Sequence, residues 1–354
     1  MPRSGRRRAA SAASRLAAPP HGRIFALDAR SQSPKYRQIA ERVVAALRDG
    51  VLKKGDRLPS INDACRVHRL SRDTVVKAYD LLQEMRYLSA IHGKGYFLRT
   101  DAADPRLRAF VLFDTLNAFK EKVFAGLTDT VSRRVDTDVC FHHFNPDLFR
   151  RLLVEARGKY DRYVVMPFPA PEVEEALAEL QGEQLLVLDI DSCAPRRTPR
   201  IVQNFDDQLV QALESGLARL RRYRRLVLVF PPDNHDPVEI QEAVLRFGRR
   251  VDLATSVVPR LTEQMVQGRT AYLVLDDKDL VSLVKHCNAT GQRLGQDVGV
   301  LSYNDTPLKE IVAGGITVVS IDFYGLGVRA GQHVLDPRPV HEVVPTRLIL
   351  RSSL

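Results

Sequence analysis

The stretch that most constrains this chain runs over residues 56–97, with Gly55 in front: DRLPSINDACRVHRLSRDTVVKAYDLLQEMRYLSAIHGKGYF. Ser60 is placed to cap a short helix through Cys65 and Val67, its hydroxyl accepting from an early backbone N–H that has no partner inside the helix. His68-Arg69-Leu70 reads as a tight turn. Ser71 then caps a second helix, in which Val75, Val76, Tyr79, Leu82 and Met85 recur at helical spacing and predict one buried stripe. Arg72, Asp73, Thr74 and Lys77 are left on the outward, N-terminal part, where a recognition helix presents side chains to the major groove. Residues 87–91 and 96–98 alternate as strands around His92-Gly93-Lys94-Gly95, a turn with two glycines and a lysine. Two helices and a basic-tipped hairpin make a winged helix-turn-helix.

Charge agrees with that placement. Residues 1–100 hold 21 Lys and Arg against 8 Asp and Glu, a net of +13, so out of the overall +10 the other 254 residues carry −3. Such polarity suits a chain with one end that meets a polyanion, and argues against a uniformly basic surface for loose RNA or membrane binding.

At these residues the chain resembles the GntR family of bacterial transcription regulators. The resemblance is carried by Pro34-Lys35-Tyr36 opening a first helix, Leu58-Pro59-Ser60, the Ser-Arg-x-Thr-Val element from Ser71 to Val75, and the Gly93-Lys94-Gly95 wing. Four linked elements in order weigh far more than a lone helix-turn-helix pattern. The resemblance implies DNA contacts from Ser60, Ser71, Arg72, Thr74 and Lys77 in the helices and from His92, Gly93 and Lys94 in the wing. Asn62 stands where some relatives carry an arginine.

Taken in order, residues 1–23 are rich in Arg, Ala, Ser and Pro and contain no acid. They are read as a disordered basic tail, with a phosphate-touching arm and an organelle transit peptide as the competing readings. Residues 24–100 form the winged domain. Its first helix, over 34–48, carries Tyr36, Ile39, Val43 and Leu47 at the spacing needed to pack on the recognition helix. Residues 101–105, DAADP, are the linker. From residue 109 apolar runs of four to six alternate with amphipathic segments to the end of the chain, among them a single helix over 205–220 and a strand over 251–258. This pattern predicts buried parallel strands with helices on both faces, an α/β domain over 106–354 with strands enough for two sheets. The irregular residues 191–203 are the expected crossing between them.

This half resembles the effector domain of the LacI family, which shares the two-lobed fold of periplasmic sugar-binding proteins. The carrying segments are VLFDTLNAFKEKVFAGL (111–127), LVLDDKDLVSLVKHCNATGQRLGQDVGVLSYND (273–305), ITVVSIDFYGLGVRAGQHVLD (316–336) and PTRLILRSS (345–353). A GntR-type head on a LacI-type body is the combination of Bacteroidetes sugar regulators, which this chain resembles. The resemblance implies dimerisation through the body and a small ligand between the lobes, at the C-terminal ends of the strands. Asp276 and Asn304 match family sugar contacts; Glu239 falls where many relatives place an arginine. Asp114, Asn117 and Asp191 are further contact candidates among polar strand-end residues that also include Asp189, Asn204, Asp206, Asp277 and Asp305, each of which could instead be a helix cap or turn former. Phe168 is a candidate to stack on a sugar face, or to pack in the core.

Other chemistries find little support. Cys65, Cys140, Cys193 and Cys287 lie far apart, which suits a reducing cytoplasm and gives neither a disulfide framework nor a zinc site. His142-His143 has no third ligand spaced nearby, and neighbours on a strand point to opposite faces. No apolar run approaches a membrane span. Phosphate-loop, dinucleotide and nucleophile-elbow motifs are missing, and Lys278 and Lys285 lie in or beside a LacI-like helix rather than in a pyridoxal-phosphate context. The sequence thus predicts a cytoplasmic, homodimeric regulator without cofactor, metal or catalytic activity, which binds double-stranded operator DNA and a small polar effector, read as a monosaccharide. Response to a non-sugar metabolite, or a stand-alone sugar-binding protein, are the alternatives. Lobe closure on the ligand is expected to change the separation of the DNA-binding heads.

Overall fold

The computed structural model describes residues 25, 27–28, 34–99, 106–180, 184–191, 195–232 and 235–354. The chain divides into two compact units, the first ending at Pro105 and the second beginning at Arg106. The basic tail over 1–23 and the linker over 101–105 fall outside the described residues.

In the first unit, α1 (Lys35–Arg48) begins directly after Pro34. Its Ile39, Val43 and Leu47 share one core with Val75, Tyr79 and Leu82 of α3 (Arg72–Glu84). Each such fully buried side chain contributes roughly 1.5–3 kcal/mol, so this core holds the helices together far more than helix propensity does. Between them lie β1 (Arg57–Leu58) and α2 (Ile61–His68). Arg69 ends α2 in the left-handed conformation at φ 55°, and its backbone N–H returns to the Cys65 carbonyl. The Tyr79 hydroxyl donates to the Pro59 carbonyl at 2.8 Å, tying α3 to the entrance of α2. The hairpin β2 (Leu88–Ile91) and β3 (Gly95–Leu98) is extended by β1 into an antiparallel sheet of order β1-β3-β2. The sequence pattern predicts the two hairpin strands but not β1, whose two residues are too short for any periodicity.

The second unit contains two six-stranded sheets. The first has the order β14-β8-β7-β6-β4-β5, built from β4 (Leu107–Phe113), β5 (Val135–Phe141), β6 (Arg162–Val165), β7 (Leu185–Asp189), β8 (Arg200–Val202) and β14 (His341–Val343), all parallel. The second has the order β10-β9-β11-β12-β13-β15, from β9 (Arg225–Val229), β10 (Ala254–Val258), β11 (Thr270–Val274), β12 (Val298–Tyr303), β13 (Thr317–Ser320) and β15 (Arg347–Ile349). Only β15 runs antiparallel there. The central strands of each sheet are apolar on both faces because helices cover both, hence the unbroken runs such as Leu-Leu-Val-Leu in β7.

In the first lobe the helices are α4 (Ala118–Val131), α5 (Pro146–Ala156) and α6 (Pro171–Glu179). The second lobe has α7 (Asp207–Ser215), α8 (Leu217–Leu220), α9 (Glu239–Val251), α10 (Asp277–Thr290) and α11 (Pro307–Ile311). The chain then returns, and α12 (Phe323–Leu335) packs against α4 with the first-lobe core. That approach requires glycine: a Cβ on Gly327 would lie 2.0 Å from the Val123 carbonyl oxygen, and one on Gly126 2.2 Å from that of Tyr324.

Three expectations need correction. The crossing is not within 191–203, because β8 inserts there as a further first-lobe strand between β7 and β14; the chain crosses after it. Its three residues are set by pairing with both neighbours, which no local pattern announces. The single helix expected over 205–220 is two, interrupted at Gly216, where a Cβ would meet the Leu348 side chain at 2.3 Å. The strand expected over 251–258 starts only at Ala254, since Val251 still belongs to α9 and Asp252 ends it at φ 54°.

Candidate functional site

The head presents its sequence-predicted residues at the start of α3 and at the tip of the wing. Ser71 caps α3, its Oγ accepting from the Thr74 N–H at 3.2 Å and lying 2.7 Å from the Thr74 hydroxyl. Ser60 does the same for α2, accepting from the Asp63 N–H at 3.1 Å and donating to its carboxylate at 2.7 Å. That hydrogen bond, with Arg66 close by, holds the Asp63 carboxyl below its usual range. Arg72 and Lys77 are exposed, as are His92, Gly93 and Lys94. Lys77 pairs with Asp73 across one helical turn at 2.9 Å, an exposed pair that solvent screens. The Arg72 guanidinium donates to Asn62 Oδ1 at 2.9 Å, so the asparagine that departs from the family's arginine orients the recognition-helix arginine.

The body holds a cleft of about 360 Å³ between its lobes, walled by the loops at the C-terminal strand ends. Four of the contact candidates meet there, Asp114, Asn117, Asp276 and Asn304, beside the strand-end residues Asp189 and Asp277. Three have local tasks as well. Asn117 caps α4 through the Lys120 N–H at 3.0 Å, Asp276 caps α10 through the Asp279 N–H at 2.7 Å, and Asp114 accepts from the Thr115 N–H at 2.5 Å. Asn304 is held at φ 61°, and its Oδ1 is buried with no hydrogen-bond partner among the described residues.

The other three expected contacts lie outside this lining. Phe168 is buried, stacked on His142 at 4.9 Å within a cluster that includes Phe149. Asp191 is exposed and pairs with Arg200, with His341 3.7 Å away. Glu239 sits exposed in the first turn of α9, where its charge complements the helix N-terminus. Strand-end position alone does not decide these cases, because the direction of a side chain beyond a strand depends on the loop that follows.

Two buried lysines dominate the lining, and no local sequence pattern singles them out. Lys120 donates to Asp189 at 2.7 Å and to Met166 Sδ at 3.1 Å, and pairs with Asp114 at 3.1 Å. Burial would lower its pKa, yet Asp189 and Asp114 outweigh that and raise it. Asp189 also accepts from Gln203 and holds a strained φ of 77°. Lys309 donates to the Tyr303 and Asn304 carbonyls, both at 2.9 Å, and pairs with Asp277 at 3.1 Å; burial prevails and lowers its pKa. Asp236 is pushed up to about 6, by burial first and then by Asp189 and Asp276. Phe144 stacks on His235 at 3.8 Å at the rim. Lys120 falls on the buried face of α4 two turns before any family motif ends, so only a search for charges at apolar helix positions would have found it.

A winged helix-turn-helix joined to a two-lobed α/β body with an interlobe cleft defines the class. Residues 35–98 match the family model described as bacterial regulatory proteins, gntR family, and residues 211–354 match that of the periplasmic binding protein-like domain. The HTH-type transcriptional repressor YtrA of Bacillus subtilis is 30% identical over 79 residues, 22% of this chain and 61% of that protein. The mannosyl-D-glycerate transport/metabolism system repressor MngR of Escherichia coli is 33% identical over 99 residues, 28% of this chain and 39% of its own length. The chain therefore spans less than two thirds of the curated relatives it matches. The trehalose repressor from Escherichia coli superposes on 69% of this chain and all of its own solved structure, with a TM-score of 0.58 at 17% identity. The head is thus a GntR-type domain, and the body has the periplasmic-binding-protein-like fold found in LacI-family regulators.

Proposed function

We propose that this protein is a sequence-specific, DNA-binding transcription regulator of the cytoplasm, controlled by a small polar ligand held between the lobes of its body. The observation that carries the reading is the union in one chain of a GntR-type head, with Arg72 and Lys94 exposed, and a polar interlobe cleft of sugar size. Arg72, Thr74, Lys77 and the wing residues His92, Gly93 and Lys94 serve as DNA contacts, with Ser60 and Ser71 fixing the helix ends. Asp114, Asn117, Asp276 and Asn304 are the proposed ligand contacts. A hydroxyl-bearing ligand of monosaccharide size suits carboxylates and amides, since each buried hydroxyl left without a partner costs roughly 1–3 kcal/mol. The relatives named for sugar-derived compounds support the same class. One winged helix makes too few base contacts for genomic specificity, so the protein acts as a homodimer on a two-part operator. Ligand and operator are coupled by about 1–3 kcal/mol.

The test is to select binding sites from random DNA with the full chain, then to titrate the selected duplex by fluorescence anisotropy with and without a panel of sugars. A palindromic site whose affinity shifts fivefold or more with one sugar is the expected result. Selection of no sequence, or an affinity that no small molecule shifts, overturns the reading.

A further inference from the structure

Donor and acceptor counting in the cleft narrows the ligand further; this rests on the cleft being the effector site. Each lysine ammonium has three N–H donors. Lys120 directs its three to Asp114, Met166 and Asp189; Lys309 directs its three to the Tyr303 and Asn304 carbonyls and to Asp277. Neither lysine has a proton left for an anion. The described lining includes five aspartates against these two lysines, a formal charge of −3 with His235 neutral. A second observation is independent of the acids: Tyr303, only 3% exposed, is one of the lining residues, and its buried hydroxyl has no partner among the described residues. The Asn304 oxygen beside it is likewise unsatisfied. Buried groups of this kind are retained where something else completes them. The aspartates and the Asn304 oxygen call for a donor, and the Tyr303 hydroxyl can accept one as well as donate its own proton.

We infer that the effector is a cation: a hydroxyl-bearing molecule of monosaccharide size that carries an amino group, lodged among the cleft aspartates and against Tyr303 and Asn304. An ammonium offers three donors and a positive charge where the lining has excess acceptors and excess negative charge. A carboxylate or phosphate in its place meets no lysine proton left over and an unfavourable field. A neutral hydroxyl in that position satisfies one acceptor but leaves the field uncompensated.

The test is isothermal titration calorimetry of the full chain with matched series: glucose, glucosamine and glucuronate, and the corresponding galactose and mannose sets. In the best-binding series the amino sugar is expected to bind about tenfold more tightly than its neutral partner, as a charged hydrogen bond exceeds a neutral one. The uronate is expected to give no heat of binding. Tyr303→Phe should weaken the amino sugar severalfold while leaving the thermal transition in place. Asp236→Asn should cut the ratio of amino-sugar to neutral-sugar affinity below threefold, and a tenfold preference that survives the substitution counts against the inference. A neutral sugar or uronate that binds as well as the amino sugar overturns the inference and leaves the effector site standing. Absence of binding by every member overturns the reading of the cleft as a hydroxyl-ligand site, and the inference with it.

Discussion

Replacing Lys120 by Met keeps the length of the side chain and removes the ammonium that holds the first-lobe wall of the cleft. The side chain is 3% exposed, and its partners Asp114 and Asp189 are 13% and 11% exposed at 3.1 and 2.7 Å. Removing one partner of a buried ion pair costs about 3–5 kcal/mol, most of it the penalty of the charge left behind. Here two carboxylates remain and face each other, but each keeps a narrow edge of solvent and a hydrogen bond, Asp189 from Gln203 and Asp114 from the Thr115 N–H. The expected loss is therefore at the low end, about 3 kcal/mol at pH 7, equivalent to a fall in Tm of about 6–12 °C for a domain of this size. The deficit must also depend on pH with a definite sign. In the wild type the Lys120 pKa is raised, so its contribution is fully present below the free lysine value and is constant between pH 5 and 7. In the variant the two uncompensated carboxylates push one pKa upward, so one of them takes up a proton as the pH falls. The loss at pH 5 should be smaller than at pH 7. Urea denaturation at both values measures it. A loss below 1 kcal/mol at pH 7, or a larger loss at pH 5, would refute the reasoning.

Arg72→Ala should weaken operator binding by about 1–3 kcal/mol at fixed salt without shifting Tm, and equal affinity by fluorescence anisotropy would remove Arg72 from the interface. Asn62→Ala, which frees the Arg72 guanidinium, should produce a smaller loss in the same assay and none in an Arg72→Ala background; additive losses would show that the two act separately. Asp236, at about 6 in the fold against 3.8 for the free side chain, binds its proton more tightly when folded, so it lowers stability as pH rises from about 4 to 6. Asp236→Asn should flatten that part of the wild-type stability curve, and parallel curves would contradict the assignment. Gly327→Ala should cost at least about 1–3 kcal/mol in urea titrations, because its methyl would lie 2.0 Å from a backbone oxygen that cannot step aside; an unchanged midpoint would mean that α12 is not packed on α4 as described.

The sequence alone determined the features that depend on near neighbours. The caps at Ser60 and Ser71, the buried stripe of α3, the two-glycine wing and the apolar runs of the parallel strands are each written within a few residues, where spacing and hydrogen-bonding chemistry leave few options. Four of the cleft residues were legible for the same reason, since Asp114, Asn117, Asp276 and Asn304 sit at strand ends that the local pattern locates. Tertiary structure decided what depends on distant partners. The three residues of β8 become a strand only between β7 and β14, and Gly216 interrupts a helix only because Leu348 occupies its Cβ space. Lys120 and Lys309 look like surface lysines until aspartates and carbonyls from other segments close around them. Phe168, Asp191 and Glu239 look like contacts until their loops turn them elsewhere. A charge at low dielectric takes its meaning from every group within a few ångströms, and the chain brings those groups together from positions as far apart as 114 and 189.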